Sequence, residues 1–275
     1  MSSTEGSLLS YSDFGTGVPV VFLHPTPLDR EYWRPLAERL PGVHAILLDL
    51  RGHGHTPLGE GLTAGGFALV PDAPVLTMRR LAGDVLALLD HLRLERAVFA
   101  GCSIGGSVLL ELWRIAPERM RGLAFVCSKP QPDGAASAER RTATIAAARA
   151  GLSATLYDSM VQTLTGATAQ NLRPGIVSAL RGRMDAVTSE ALVAVQAGLA
   201  VRPDSVADVA TIRVPVLAIA GGEDPAASVD EMRAFERAPG GCSFHVLETA
   251  GHFAAFEQPD AVAGLLRPWL AQFAG

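Results

Sequence analysis

The sequence predicts an α/β fold, with a mostly parallel sheet covered by helices on both faces and an all-helical insertion. Apolar, β-branched runs alternate with helical runs over residues 18–128, as in a parallel sheet with two covered faces. Over 129–208 the strand signals give way to alanine- and arginine-rich helical runs, and this stretch is much longer than an ordinary connection. We therefore expect a core of residues 1–128 and 209–275, with 129–208 as a helical lid.

The predicted strands are short apolar runs bounded by turn residues. The run over 8–14 is interpreted as an edge strand because it ends in the Gly-Thr-Gly turn at 15–17. The other runs are almost wholly apolar, as strands buried on both faces should be. They lie at 18–24, 44–50, 96–100, 122–128, 214–222 and 242–248.

Helices are predicted where apolar residues recur at helical spacing. The pattern over 78–92 has Thr77 as its N-cap, and the last helix begins at Pro259, since proline fits the first helical position. Another core helix is expected over 30–40. Within the insertion, helices are expected over 138–150, 153–164, 174–184 and 189–201.

Composition excludes several classes of protein. Hydrophobic residues form 48% of the 275 residues and charged residues 19%, which indicates a compact globule. A net charge of -5 and a pI near 5.8 provide no basic surface for nucleic acid or an anionic membrane. The N-terminal residues show neither a basic n-region nor a long apolar run, so we expect a cytoplasmic protein with a small-molecule substrate.

The three cysteines, Cys102, Cys127 and Cys242, are an odd number without paired spacing. This argues against a disulfide framework, and the chain has no C-x-x-C metal pattern. We expect neither a metal nor a cofactor. Cys102 adjoins Ser103, but its apolar run favours a buried structural thiol over a nucleophile.

Ser103 lies between a predicted strand and a predicted helix, in the segment Ala-Gly-Cys-Ser-Ile-Gly-Gly at 100–106. Gly101 and Gly105 flank it in a G-x-S-x-G pattern, as a turn too tight for a Cβ requires. The pattern alone also fits a glycine-rich turn with a serine N-cap. A nucleophilic serine would need a base, and the base would need an orienting acid.

Residues of the required types follow two later strands. Asp224 comes after one predicted strand and His252 after the next, so both should emerge at the sheet edge that carries Ser103. Taken singly, Asp224 fits an Asp-Pro turn and His252 fits a loop or core histidine. Glu223 is the alternative acid.

These segments together resemble the α/β-hydrolase superfamily, in its lid-bearing esterase, lactonase and haloperoxidase-like branch. The resemblance covers nearly the whole chain and rests on VVFLHPTPLDREYW, LDLRGHGHT, AGCSIGG, LAIAGGEDP and ETAGHFAAFEQPDAV. It implies a catalytic triad of Ser103, His252 and Asp224, since the family's chain order is serine, acid, histidine.

The resemblance also implies an oxyanion hole formed by the backbone N–H groups of Thr26 and Ile104. The family often has His-Gly where this chain has His24-Pro25, and proline donates no N–H. The donor position nevertheless matches Thr26. His24 is expected to be buried and to bond the loop backbone.

The other polar residues of the motifs are expected to be structural. His53 and His55 form an H-x-H pair, but they lie in a structural turn of the family with no acidic third ligand nearby. Arg51 belongs to the same turn. The glycine- and proline-punctuated loop over 55–77 carries apolar residues, so we expect it to pack down near the lid.

Three residues are predicted to contact substrate: Tyr157 and Met160 on a lid helix, and Phe253 beside His252. The remaining apolar lid residues should pack the lid onto the core. We expect a neutral, small-to-medium acyl ester or lactone, with carboxylated lactones as the alternative if a lid arginine points inward. The candidate arginines are Arg140, Arg141, Arg149, Arg173, Arg181 and Arg183.

The sequence thus predicts a serine hydrolase that cleaves a carboxylic ester or lactone through an acyl-serine intermediate. Two alternatives stay open: a carbon-carbon bond hydrolase or lyase on the same triad, and a small-molecule receptor that keeps a slow triad. Turnover distinguishes the receptor from the enzymes.

Overall fold

The computed structural model describes residues 9–274, in which seven strands form a single sheet. Their order across the sheet is β1-β3-β2-β4-β5-β6-β7; β1 pairs antiparallel with β3, and all other pairs are parallel. The strands are β1 (Tyr11–Phe14), β2 (Val18–Leu23), β3 (Val43–Leu48), β4 (Ala97–Cys102), β5 (Met120–Val126), β6 (Val216–Gly221) and β7 (Cys242–Leu247).

The central strands are buried because helices cover both faces of the sheet. Every residue of β4 and β6 is buried, which explains their unbroken apolar sequences. Of the edge strand predicted over 8–14, residues 11–14 form β1, with Tyr11 opposite Leu48. Residues 9 and 10 precede the strand, and residue 8 lies outside the described residues. The predicted α/β architecture is confirmed.

The helices around the sheet follow the predicted patterns, with one difference. Thr77 caps α2 through a side chain that accepts the Arg80 N–H, and proline occupies the first turn of α12. The helix expected over 30–40 divides into a 3-10 turn and the short α1, because Pro35 would lack an N–H in the interior of a longer helix. The core helices are α1 (Arg34–Ala37), α2 (Met78–His91), α3 (Ile104–Ile115), α10 (Val229–Met232), α11 (Ala254–Glu257) and α12 (Pro259–Leu270), with 3-10 turns at Arg30–Tyr32, Pro117–Arg119, Arg233–Arg237 and Ala271–Phe273.

Six helices follow β5 before the chain returns to the sheet at β6. They are α4 (Ala135–Arg149), α5 (Ser153–Leu164), α6 (Ala167–Leu172), α7 (Gly175–Met184), α8 (Ser189–Ala200) and α9 (Val206–Val209). Sequence reasoning missed α6 and α9, whose six and four residues are too few to show a helical period. The α8 helix is buried on all sides, with residues in both hydrophobic clusters, so it anchors the insertion to the core.

The loop between β3 and α2 packs against this insertion. Phe67 and Leu76 are buried, and the Leu76 N–H donates to the Ala194 carbonyl of α8 at 3.0 Å. A Cβ at Gly198 would lie 1.8 Å from the Leu76 oxygen, so glycine permits this close approach. Leu69 is an exception to the expected packing, since it is 55% exposed.

Four loops at the carboxyl edge of the sheet hold the predicted site residues. Thr26 follows β2, Ser103 follows β4, Asp224 follows β6 and His252 follows β7. Parallel strands bring residues that are far apart in sequence to one edge. Among residues 9–274, no helix is both long and apolar enough to cross a bilayer.

Candidate active site

Ser103 occupies a strained turn between β4 and α3. Its φ of 54° and ψ of -117° are rare for a residue other than glycine. A Cβ at Gly101 would lie 2.6 Å from the carbonyl carbon of Gly105, and one at Gly105 would lie 2.3 Å from the Leu23 oxygen, so the turn requires both glycines. The Ser103 side chain makes no N-cap hydrogen bond, which argues against the alternative interpretation of Ser103 as the N-cap of α3.

His252 and Asp224 are joined by a hydrogen bond of 2.8 Å between Nδ1 and Oδ2. Because the carboxylate accepts, Nδ1 carries the proton and Nε2 keeps a free lone pair. Oδ1 of Asp224 accepts the backbone N–H groups of Ala226 at 2.7 Å and Ala227 at 3.2 Å. Both carboxylate oxygens are therefore engaged, and the side chain is fully buried.

The neighbouring carboxylate, that of Glu223, has different partners. It accepts the backbone N–H of Thr168 at 2.9 Å and also the hydroxyl of Thr168, near the start of α6. Glu223 thus ties a helix of the insertion to the loop after β6. The contacts favour Asp224 over Glu223 as the acid that orients His252.

Ser103 and His252 line the same cavity, and Thr26 and Ile104 line it beside them. Ile104 is the first residue of α3, where a backbone N–H has no intrahelical acceptor. Asp224 lies behind the imidazole and does not line the cavity. The structure thus brings the predicted nucleophile, base and oxyanion residues to one solvent-connected space.

Two buried histidines support the Thr26 loop. His53 Nδ1 donates to the Arg51 carbonyl at 3.1 Å, so His53 Nε2 accepts the Thr26 hydroxyl at 2.9 Å. His24 donates through Nδ1 to Pro25 O at 2.9 Å. Burial lowers the pKa of His24 to about 4, and burial together with the nearby His24 lowers the pKa of His53 to about 3.

Glu257 is a functional candidate that sequence reasoning missed. Its side chain is wholly buried and accepts three backbone N–H groups: Gly251 at 2.8 Å, Gly166 at 3.2 Å and Phe253 at 3.1 Å. Burial raises its pKa, against the opposite effect of these donors. The sequence feature that could have indicated Glu257 is a single acid in an otherwise apolar segment directly after His252.

The insertion touches the histidine loop directly at this point. The His252 N–H donates to the Leu164 carbonyl at 2.8 Å. A Cβ at Gly251 would lie 2.2 Å from the Gly166 nitrogen, so two glycine backbones meet where no side chain would fit. The segment joining α5 and α6 therefore helps to determine where His252 stands.

Three other residues of the motifs make contacts that agree with the structural roles expected for them. Cys102 is buried and receives a hydrogen bond from the Tyr32 hydroxyl at 3.3 Å; burial raises the pKa of its thiol, which makes a thiolate nucleophile unfavourable. Arg51 makes two hydrogen bonds of 2.7 Å to Asp84. His24 bonds the backbone of its own loop and that of Leu50, whose N–H it accepts at 3.0 Å.

The cavity has a volume of about 550 Å³ and a wall that is part apolar and part cationic. Of the predicted substrate contacts, Met160 lines it, but Tyr157 and Phe253 do not. Tyr157 is turned into the insertion, where its hydroxyl donates to the Val187 carbonyl at 2.8 Å. Phe253 is fully buried beside Tyr32, because the backbone that presents His252 directs the next side chain into the core.

Known proteins match this chain over most of its length. The 3-oxoadipate enol-lactonase 1 of Acinetobacter baylyi is 25% identical over 276 residues, covering 94% of this chain and 92% of the relative. The structure of a malate-bound thermophilic esterase from Thermogutta terrifontis has a TM-score of 0.87 at 29% identity, covering 97% and 94% of the two chains. The enol-lactonase from Burkholderia xenovorans LB400, with a TM-score of 0.84 over 96% of each chain, shows the shared fold at 23% identity.

Some relatives are matched over only part of their length. This chain covers 30% of the dihydrolipoyllysine-residue acetyltransferase component of the acetoin cleaving system of Pseudomonas putida, at 32% identity over 126 residues. The model of the alpha/beta hydrolase family, in contrast, matches residues 20–265, which include the four loops described above. With the seven-stranded sheet and its carboxyl-edge site, this match shows that the chain belongs to the alpha/beta hydrolase family.

Proposed function

We propose that this protein hydrolyses a small-to-medium carboxylic ester or lactone through an acyl-enzyme on Ser103. The observation that carries the proposal is the His252–Asp224 hydrogen bond of 2.8 Å, with the imidazole lining the same cavity as Ser103 on its strained turn. The similarity to an enol-lactonase over more than nine tenths of both chains and the 29% identity to a solved esterase support ester-bond chemistry.

In the proposed reaction the Ser103 Oγ attacks the substrate carbonyl while His252 Nε2 takes the hydroxyl proton. Asp224 keeps the imidazole in the tautomer that leaves Nε2 free, and stabilises the positive charge that develops on the ring. The proton then passes to the departing alcohol. Water, deprotonated in turn by His252, releases the acid and restores Ser103.

The tetrahedral oxyanion would be bound by the backbone N–H groups of Thr26 and Ile104, which line the cavity beside Ser103. Two donors fixed by a turn and a helix start need no reorganisation as the charge develops. The Thr26 hydroxyl is occupied by His53, so the threonine is proposed to act through its backbone.

We further propose that residues 129–208 act as a lid over this cavity. Its wall includes Thr144 of α4, Met160 of α5 and Gln196 of α8, opposite Ser103 of the core. Such a cover would exclude water from the acyl-enzyme and select substrates by shape. A volume of about 550 Å³ suits a small or medium acyl group with its leaving group.

The test is a panel of nitrophenyl esters, lactones and vinylogous diketones, assayed with the wild-type protein, Ser103→Ala and Ser107→Ala. Ser107 lines the same cavity one helical turn further on, so its variant is the matched control. We expect multiple turnovers on esters or lactones that Ser103→Ala abolishes and Ser107→Ala retains. Turnover of diketones alone would favour carbon-carbon cleavage, and tight binding without turnover would favour a receptor.

A further inference from the structure

We infer that the substrate of the Ser103 site carries a carboxylate, which binds to the wall of the cavity that α4 provides. The inference rests on the proposed function and deepens it by naming the substrate class. Of the two substrates that the sequence analysis left open, it favours the carboxylated one over the neutral one.

Basic side chains outnumber acidic ones on the wall of the cavity. Four basic residues line it, and Asp133 is the one carboxylate among its lining residues. The basic residues are Lys129, Arg140, Arg141 and Arg202. A concave, partly apolar wall concentrates the field of an uncompensated positive charge, which favours an anionic ligand.

Asp133 is already shared between two of these cations. It accepts hydrogen bonds from Arg141 Nε and, at 2.7 Å, from Arg202 Nη1. Burial pushes its pKa up, but the bond and charge of Arg141 and the charge of Arg202 together hold the pKa below its usual value. One carboxylate cannot neutralise two guanidinium groups, so this cluster keeps a net positive charge.

Arg140 is the cation available to a ligand. Among residues 9–274 it makes no ion pair, and its Nη2 donates to the Ser137 hydroxyl at 2.7 Å. The side chains of Ser137, Arg140, Arg141 and Thr144 follow helical spacing, and all four line the cavity. They form a polar face on α4 that contributes to the cavity wall, and the Arg140 side chain on this face is exposed to solvent.

A purely structural role explains part of this arrangement but not Arg140. Arg141 also donates to Gln196 at 2.7 Å, and Arg202 donates to the Gln131 carbonyl at 3.0 Å, so these two join α4, α8 and the start of the insertion. Lys129 pairs with Glu231, which does not line the cavity. A substitution at Arg140 therefore tests recognition of the substrate carboxylate without breaking the ion pairs and hydrogen bonds that join the helices.

The experiment compares two esters of matched length, 4-nitrophenyl hydrogen glutarate and 4-nitrophenyl valerate, after subtraction of their spontaneous hydrolysis. The kcat/KM ratio of charged to neutral ester is measured for wild type, Arg140→Gln and Arg149→Gln, at low and high salt. Arg149 lies on the same helix but outside the cavity and pairs with Asp72, so its variant is the matched control.

We expect the wild type to prefer the charged ester, and Arg140→Gln to reduce that ratio about tenfold, as loss of a charge-assisted hydrogen bond should. The preference should weaken with salt, and Arg149→Gln should keep the wild-type ratio. A wild-type preference for the neutral ester, or equal ratios in wild type and Arg140→Gln, would overturn the inference.

A binding measurement separates this inference from the proposed function. Calorimetry on Ser103→Ala compares monomethyl glutarate with methyl valerate, neither of which needs to be turned over. Binding of the charged ligand that Arg140→Gln weakens supports the inference even if no ester is hydrolysed. If esters are turned over but the charged and neutral ligands bind equally well, the proposed function is supported and the inference that the substrate carries a carboxylate is refuted.

Discussion

Replacing Glu257 by glutamine tests whether this buried carboxylate positions His252. The two oxygens accept three backbone N–H groups: Oε2 from Gly251 and Gly166, and Oε1 from Phe253. Two of these donors flank His252 in sequence, and the third belongs to the insertion. Glu257 therefore fixes the backbone on both sides of the imidazole and attaches it to the segment before α6.

The expected loss follows from the difference between a carboxylate and an amide. In the better of its two orientations, glutamine keeps its oxygen toward Gly251 and Gly166, and its NH₂ then faces the Phe253 N–H. A buried donor left without an acceptor costs about 1–3 kcal/mol. For a protein of 275 residues, that corresponds to a fall in Tm of roughly 2–5 °C.

The assay combines urea unfolding with steady-state kinetics on the best ester of the panel. Misplacing the imidazole should lower kcat more than it changes KM, since a displacement of about 1 Å can cost 10²-fold in rate. Glu248→Gln is the matched control because Glu248 is exposed at the end of β7. Wild-type unfolding and wild-type kcat in Glu257→Gln would refute the positioning role.

Three further predictions concern the acid, the oxyanion loop and pH. Asp224→Asn should lower kcat by up to about 10⁴-fold, because an amide in place of the carboxylate favours the wrong tautomer of the His252 imidazole. Glu223→Gln should retain most of the activity. The reverse result would mean that the acid was misassigned. Thr26→Ala should lower the free energy of unfolding in urea by about 1–3 kcal/mol, because it leaves Nε2 of His53 without a hydrogen-bond donor. Thr26→Ser keeps the hydroxyl and should keep the wild-type stability. Equal stabilities of the two variants would contradict the hydrogen bond between Thr26 and His53. The pKa values of His24 and His53, about 4 and 3, lie below the value of about 6.5 in the unfolded chain, so the unfolded state binds more protons and the free energy of unfolding decreases as the pH is lowered. Between pH 6.5 and 5 these two histidines should remove about 3 kcal/mol, and a flat urea profile over this interval would be inconsistent with their burial as neutral rings.

The sequence by itself determined the fold and the order of the site residues. Alternating apolar and helical runs specify a parallel sheet because each periodicity suits one type of element and one pattern of burial. The glycines around Ser103 are required by the local backbone geometry, so their role can be predicted from the short motif without the rest of the chain. The placement of Asp224 and His252 at the ends of strands follows from the same pattern.

Tertiary structure decided the questions that depend on neighbours distant in sequence. In the folded chain the Asp224 carboxylate is hydrogen-bonded to His252, whereas the Glu223 carboxylate is hydrogen-bonded to Thr168, although the two acids are adjacent in the sequence. Tertiary structure also turned Tyr157 away from the cavity and placed Arg140 on the cavity wall, because helical spacing defines a face but not what that face meets. Which side chain is buried, paired or free is set by packing between elements, and a single sequence does not contain those contacts.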